Sequence, residues 1–251
     1  MFLDNYTLLA LYATLFTWLL TILGSSMVFF FKKIKKNYMD ISLSIAAGIM
    51  LSASFWSLLN PAVENAKLIK QVPFIVVTIG FILGNIFIIF TDKLFAKKTN
   101  RKISLLILSI TMHNIPEGLA VGIAFGSIKY GANGASLTGA ITLAIAIGLQ
   151  NFPEGSAVSL PLRRDNYSRF KSFLYGSLRA VVEPIFGVIG ALLTIKISFL
   201  MPLLLSFAGG AMIYVIVKEL IPECMTNNNK TLMTIFFIIG FSLMMILDIL
   251  L

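Results

Sequence analysis

The sequence predicts an all-α membrane protein of eight transmembrane helices, and three observations lead there. Hydrophobic residues make up 58% of the 251 and charged residues only 12%, for a mean hydropathy of +0.92. A soluble domain of this length has too little interior to hide that much apolar surface. The apolar residues gather into segments near the roughly 20 residues that a spanning helix needs. Basic residues, finally, crowd into alternate connections between those segments.

Taken in order, the predicted spans are 7–31, 41–59, 73–90, 103–125, 136–160, 173–195, 199–217 and 232–251. The first is a span and not a cleaved signal. Residues 1–6 hold an acid and no lysine or arginine, and about 25 apolar residues exceed a signal's hydrophobic core. Lys32, Lys33, Lys35 and Lys36 close it, and the second span follows. The third and fourth are separated by Lys93, Lys97, Lys98, Arg101 and Lys102, the fifth and sixth by Arg163, Arg164, Arg169 and Lys171, and Lys218 and Lys230 bracket the seventh connection. The other connections hold only Lys67 and Lys70, then Lys129, then Lys196. Positive charge marks the cytoplasmic side, so the first, third, fifth and seventh connections face the cytoplasm and both termini face outward. The formal charge of +9 is thus a topology signal, and nucleic acid is not an expected partner. With short connections throughout, residues 1–251 read as a single polytopic domain of the cell membrane. The lone Cys224 has no partner for an intramolecular disulfide.

The fourth and fifth spans each carry one copy of a short polar pattern, His113-Asn114-Ile115-Pro116-Glu117-Gly118 and Gln150-Asn151-Phe152-Pro153-Glu154-Gly155. A carboxylate deep in lipid costs about 2.5–3.5 kcal/mol, so its presence demands a reason. Residues three and four apart share a helix face. His113, Asn114 and Glu117 therefore project together, as do Gln150, Asn151 and Glu154. Pro116 and Pro153 each remove a backbone N–H and free the carbonyls of Met112 and Leu149, which at that depth need a cavity, water or an ion. Gly118 and Gly155 are expected to let the two helices approach closely. Because the fourth span runs outward and the fifth inward, the copies meet at similar depth, in the inverted manner by which transporters place a site near the bilayer midplane. A shell of imidazole, carboxylate and amide suits zinc, iron(II), manganese or cadmium better than sodium or potassium. Two carboxylates also balance a divalent charge.

The sixth span holds a further acid, Glu183, before Pro184, with Arg179 four residues earlier. Two readings stand open: an ion pair with Arg179, or a further metal ligand beside the paired motif. Glu64, Glu219, Glu223 and Asp248 read as solvated charges near helix ends, and the methionines as packing or lipid-facing residues.

The ordered pair His-Asn-x-Pro-Glu-Gly and Gln-Asn-x-Pro-Glu-Gly resembles the signature of the ZIP (Zrt/Irt-like) metal transporters. The stretches from Ala46-Ala47-Gly48 to Asn60-Pro61, from Ala157 to Arg163, Glu183-Pro184, and from Ala208-Gly209-Gly210 to Ile221-Pro222-Glu223 are similar to the family's GufA-like branch. That resemblance implies an eight-helix bundle with a two-metal site between helices four, five and six. The first position maps onto His113, Glu117, Gln150 and Glu154. The second maps onto Asn114, Glu117, Asn151, Glu154 and Glu183. It further implies passage of divalent metal, zinc foremost, into the cytoplasm as substrate and not as cofactor, commonly by a homodimer and with an elevator-type motion. This chain departs from the pattern in three places. Gln150 and Asn151 stand where relatives often carry histidine or aspartate, Arg179-Ala180 replaces an expected Ser-Gly, and the connection from Thr91 to Lys102 has no histidine.

Two other classes fit less well. An intramembrane zinc hydrolase needs enough ligands to hold zinc with a water position open, whereas this chain has one histidine and no His-Glu-x-x-His. A metal-selective cation channel shares the carboxylate-lined path, and saturable uptake separates it from a carrier.

Overall fold

The computed structural model describes residues 5–30, 36–95, 101–129 and 135–250, with the side chains of 94–95, 101–110, 112, 113 and 196 left aside. The described residues are helical almost throughout and form eight rods. These are α1 (Asn5–Phe30), α2 (Lys36–Leu68), α3 (Pro73–Lys93), α4 (Arg101–Lys129), α5 (Leu137–Arg164), α6 (Arg169–Leu192), α7 (Ser198–Cys224) and α8 (Lys230–Leu250). α1, α2, α3, α6, α7 and α8 are each long and apolar enough to cross a membrane. In α5, of 28 residues, Gln150, Asn151, Pro153 and Glu154 dilute the apolar run.

Polarity is arranged inside out, as a lipid solvent dictates. α1 buries Thr7, Thr14, Thr17, Thr21 and Ser25 on one stripe and exposes Tyr12, Phe16, Leu19 and Leu23. α3 likewise exposes Phe74, Ile82, Ile86 and Phe90. Small residues inside let backbones close up where hydrophobic force between helices is weak.

Two prolines expected to lie beyond spans sit inside continuous rods. α2 passes through Pro61 to Leu68, and α7 passes through Pro222 to Cys224. In each, the turn before the proline widens to a π-helical stretch, Ser54–Leu59 in α2 and Ile216–Leu220 in α7. The N–H of Asn60 reaches back five residues to Phe55 O, and that of Ile221 reaches Ile216 O. A wide turn makes room for the proline ring, which ordinarily clashes with the carbonyl four residues earlier.

The helices sort into two groups. α1, α4, α5 and α6 pack chiefly on one another, and so do α2, α3, α7 and α8. Within each group the helices are fastened in pairs by glycine. A Cβ on Gly24 of α1 falls 1.8 Å from Phe152 O of α5, and one on Gly155 of α5 falls 2.3 Å from Thr21 O of α1. The same reciprocity ties α2 to α8 (Gly48, Gly240), α3 to α7 (Gly84, Gly210) and α4 to α6 (Gly122, Gly190). Gly118 and Gly155 therefore bring α4 to α6 and α5 to α1, not α4 to α5 as the sequence suggested.

The basic ends of the rods share one end of the bundle. Arg164 of α5 pairs with Glu223 of α7 at 2.6 Å, Lys218 of α7 with Asp92 of α3 at 2.5 Å, and Lys36 of α2 reaches Thr226 O at 3.4 Å.

Candidate functional site

The two motif copies converge in space as they repeat in sequence. Asn114 and Glu117 of α4, Gln150, Asn151 and Glu154 of α5, and Glu183 of α6 are all at most 2% exposed. The side chain of His113 lies outside the described residues.

Matching positions do matching work. The two motif asparagines grip one carboxylate: Asn114 Nδ2 donates to Glu183 Oε1 at 2.6 Å, and Asn151 Nδ2 donates to both Glu183 oxygens at 3.0 and 2.9 Å. The Thr17 hydroxyl of α1 donates to Glu183 as well. Gln150, at the first position of the second copy, donates its amide to Glu117 of the first copy. The Oδ1 atoms of Asn114 and Asn151 are buried and have no hydrogen-bond partner among the described residues. Buried amide oxygens in that condition are ready acceptors for a cation. Gly118 sets the depth of Glu183, since a Cβ there would fall 2.6 Å from Glu183 O.

Arg179 goes to a different partner from the one its spacing suggested. Its guanidinium donates to Glu154 of α5 at 3.5 Å, and the contacts of Glu183 are Thr17, Asn114 and Asn151. The cause is local: Arg179–Val181 is a 3-10 turn. With three residues per turn, positions four apart no longer share a face. Among the described residues no three carboxylate, thiol or imidazole groups form a ready metal cluster; amides and a guanidinium lie between the acids.

A cavity of about 650 Å3 lies along the boundary of the two helix groups. Ser57, Asn65 and Met201 of one group face Glu117, Ala124 and Thr142 of the other across it, and Asp248 also lines it. It extends to Ser136, whose hydroxyl caps α5 by accepting from Gly139 N at 3.1 Å. Ser57 sits in the π stretch of α2 and links the cavity wall to the motif. Its hydroxyl lies 2.7 Å from Asp248 Oδ1 and 3.3 Å from Gln150 Oε1.

Asp248 therefore departs from the sequence reading of a solvated end charge: it is half-buried and lines the cavity. Glu64 and Glu223 behave as expected, in exposed or rim pairs with Lys67 at 2.8 Å and Arg164 at 2.6 Å. Thr17 and Ser57 are site residues that the sequence reading missed. For Thr17 a signal existed in the threonine stripe of α1.

Comparison with known proteins bears on these same helices. The family model for the ZIP zinc transporters matches residues 96–248, a stretch holding every motif residue named above. Zinc transporter ZIP11 of Homo sapiens is 35% identical, covering 96% of this chain and 96% of its own length. Zinc transporter ZIPB of Bordetella bronchiseptica is 31% identical over 91% of this chain and 76% of its own, and zinc transporter GufA of Myxococcus xanthus 40% identical over 57% and 54%. With the family model covering the site and a relative aligned almost end to end, the chain belongs to the ZIP zinc transporter family.

Proposed function

We propose that this protein is a carrier of divalent metal ions, zinc first among them, that moves its cargo across the membrane into the cytoplasm. One observation carries the reading. Glu117 and Glu154 are buried at matching positions of a repeated motif, and Glu117 stands in the wall of the cavity. A divalent cation is the cargo whose charge two such carboxylates balance in a low dielectric. The relatives' names support zinc over iron, manganese or cadmium.

In this reading all eight rods span the membrane, both termini are extracytoplasmic, and residues 1–251 act as one transporter unit within a homodimer. The bundle end tied by Arg164 and Glu223 faces the cytoplasm. The cavity, which reaches the start of α5, opens to the outside. His113, Glu117, Gln150 and Glu154 form the principal ligand set, with Asn114, Asn151 and Glu183 as the adjoining cluster. The carboxylate oxygens exchange their present hydrogen bonds for the ion, and the Oδ1 atoms of Asn114 and Asn151 stand ready to accept it.

Uptake of radioactive zinc into liposomes carrying the purified protein, with competing metals, tests this. Saturable uptake displaced by cadmium, iron(II) or manganese is expected. Flux that rises linearly with zinc points to a channel, and no flux above empty liposomes removes the proposal.

A further inference from the structure

Resting on that transport reading, the geometry points to Arg179 as a resident cation in the second half of the site, which limits the chain to one divalent ion. Arg179 is a buried cation with few partners. Its side chain is fully buried, its one hydrogen bond is to Glu154 at 3.5 Å, and its Nε and Nη2 have none among the described residues. A guanidinium carries five donors, and stranding such a charge costs several kcal/mol unless the surroundings answer it. What answers it here is charge, for Glu154 accepts from it and the buried Glu183 and Glu117 act on it electrostatically.

The charge balance decides the stoichiometry. With all three acids ionised, three carboxylates less one guanidinium leave two negative charges, which a single divalent ion cancels. A second divalent ion would leave the pocket with two uncompensated positive charges in surroundings where even one is costly. Replacing Arg179 by a neutral residue leaves three negative charges, and two ions then overshoot by only one. The amide clamp agrees with this division, for Glu183 already accepts from three donors, Thr17, Asn114 and Asn151. Asp248 is bonded to Ser57 on the cavity wall.

The test is zinc bound per chain at saturation, by equilibrium dialysis of tag-free protein in detergent followed by elemental analysis. One zinc per chain is expected for the wild type and for Arg179→Lys, which keeps the charge. Two are expected for Arg179→Gln, and one again for Arg179→Gln/Glu183→Gln. Glu183→Gln alone should leave one. Two zinc ions on the wild-type protein overturn the inference, whether or not Arg179→Gln folds, and so does a folded Arg179→Gln that binds only one. Should Arg179 be merely structural, Arg179→Gln lowers the melting temperature and leaves the count at one. A wild-type chain that binds no zinc overturns the transport reading beneath it as well.

Discussion

Glu117 and Glu154 differ from their glutamine counterparts by a charge and almost nothing in volume, so substitution isolates the electrostatics. Glu117→Gln and Glu154→Gln are each expected to cut zinc uptake by about tenfold or more, because a buried divalent ion loses half its principal counter-charge. Insertion and melting temperature should hold, and uptake near the wild-type rate at equal expression would contradict the assignment. His113→Ala removes the only imidazole in the chain, and should shift competition away from zinc toward harder ions such as manganese. An unaltered competition profile makes His113 a bystander. Protons compete for the same atoms, since carboxylates must be ionised and imidazole neutral to bind metal. Zinc affinity should therefore fall as pH drops from about 8 to about 5, and a binding constant flat across that range refutes it. Glu117 and Glu154 stood out in the sequence because intramembrane charge is expensive and the motif occurs twice. Ser57 did not, and the threonine stripe of α1 did not single out Thr17 from its neighbours. A helical hydroxyl can always bond its own preceding turn, as Thr14 does to Ala10 O at 2.8 Å and Ser54 to Met50 O at 2.7 Å. Composition cannot say which hydroxyl looks outward instead.

At the scale of the helix, the apolar runs located the rods, and the prolines were what misled. Pro61 and Pro222 mark helix ends in ordinary reading, yet both are absorbed by a π stretch. Arg179 and Glu183, four apart, look paired until the 3-10 turn rotates them away from each other. Neither local winding has a composition signal, because each is set by what packs alongside. The glycine contacts are the firmest feature at this scale. Gly155→Ala should force α5 off α1, as the new methyl meets Thr21 O at 2.3 Å, a backbone atom that cannot step aside. A loss of about 1–3 kcal/mol is expected, as for other overpacked sites, read as a lowered melting temperature in detergent. A melting temperature equal to wild type would show that the two helices are less tightly joined than described.

For the whole molecule, the two groups of four helices were out of reach of the sequence, since grouping depends on which faces meet. Alternation of basic connections did anticipate the gathering of Lys36, Arg164 and Lys218 at one end. That end is bridged between groups by Arg164 and Glu223, while Phe29 and Phe173, with ring centroids 5.2 Å apart, touch within a group. The two contacts permit a comparison. With Cys224 replaced by serine, a bis-maleimide bridge across Arg164→Cys/Glu223→Cys should halt zinc uptake, whereas the same bridge across Phe29→Cys/Phe173→Cys should leave it running. Equal effects from both bridges would speak against relative movement of the groups.

The glycine contacts have a mechanical meaning beyond stability. Every close glycine approach among the described residues joins helices of the same group; none crosses the boundary. Where backbone rests on backbone, a shift of even an ångström drives atoms into overlap, so each half behaves as a stiff block. Along the boundary no described glycine makes such an approach, and the open cavity lies there. On the carrier reading proposed above, one block would slide along the other and the ion would ride the moving part instead of threading a pore. Throughput would then be capped by how often that block returns empty, a ceiling that no amount of outside zinc would lift.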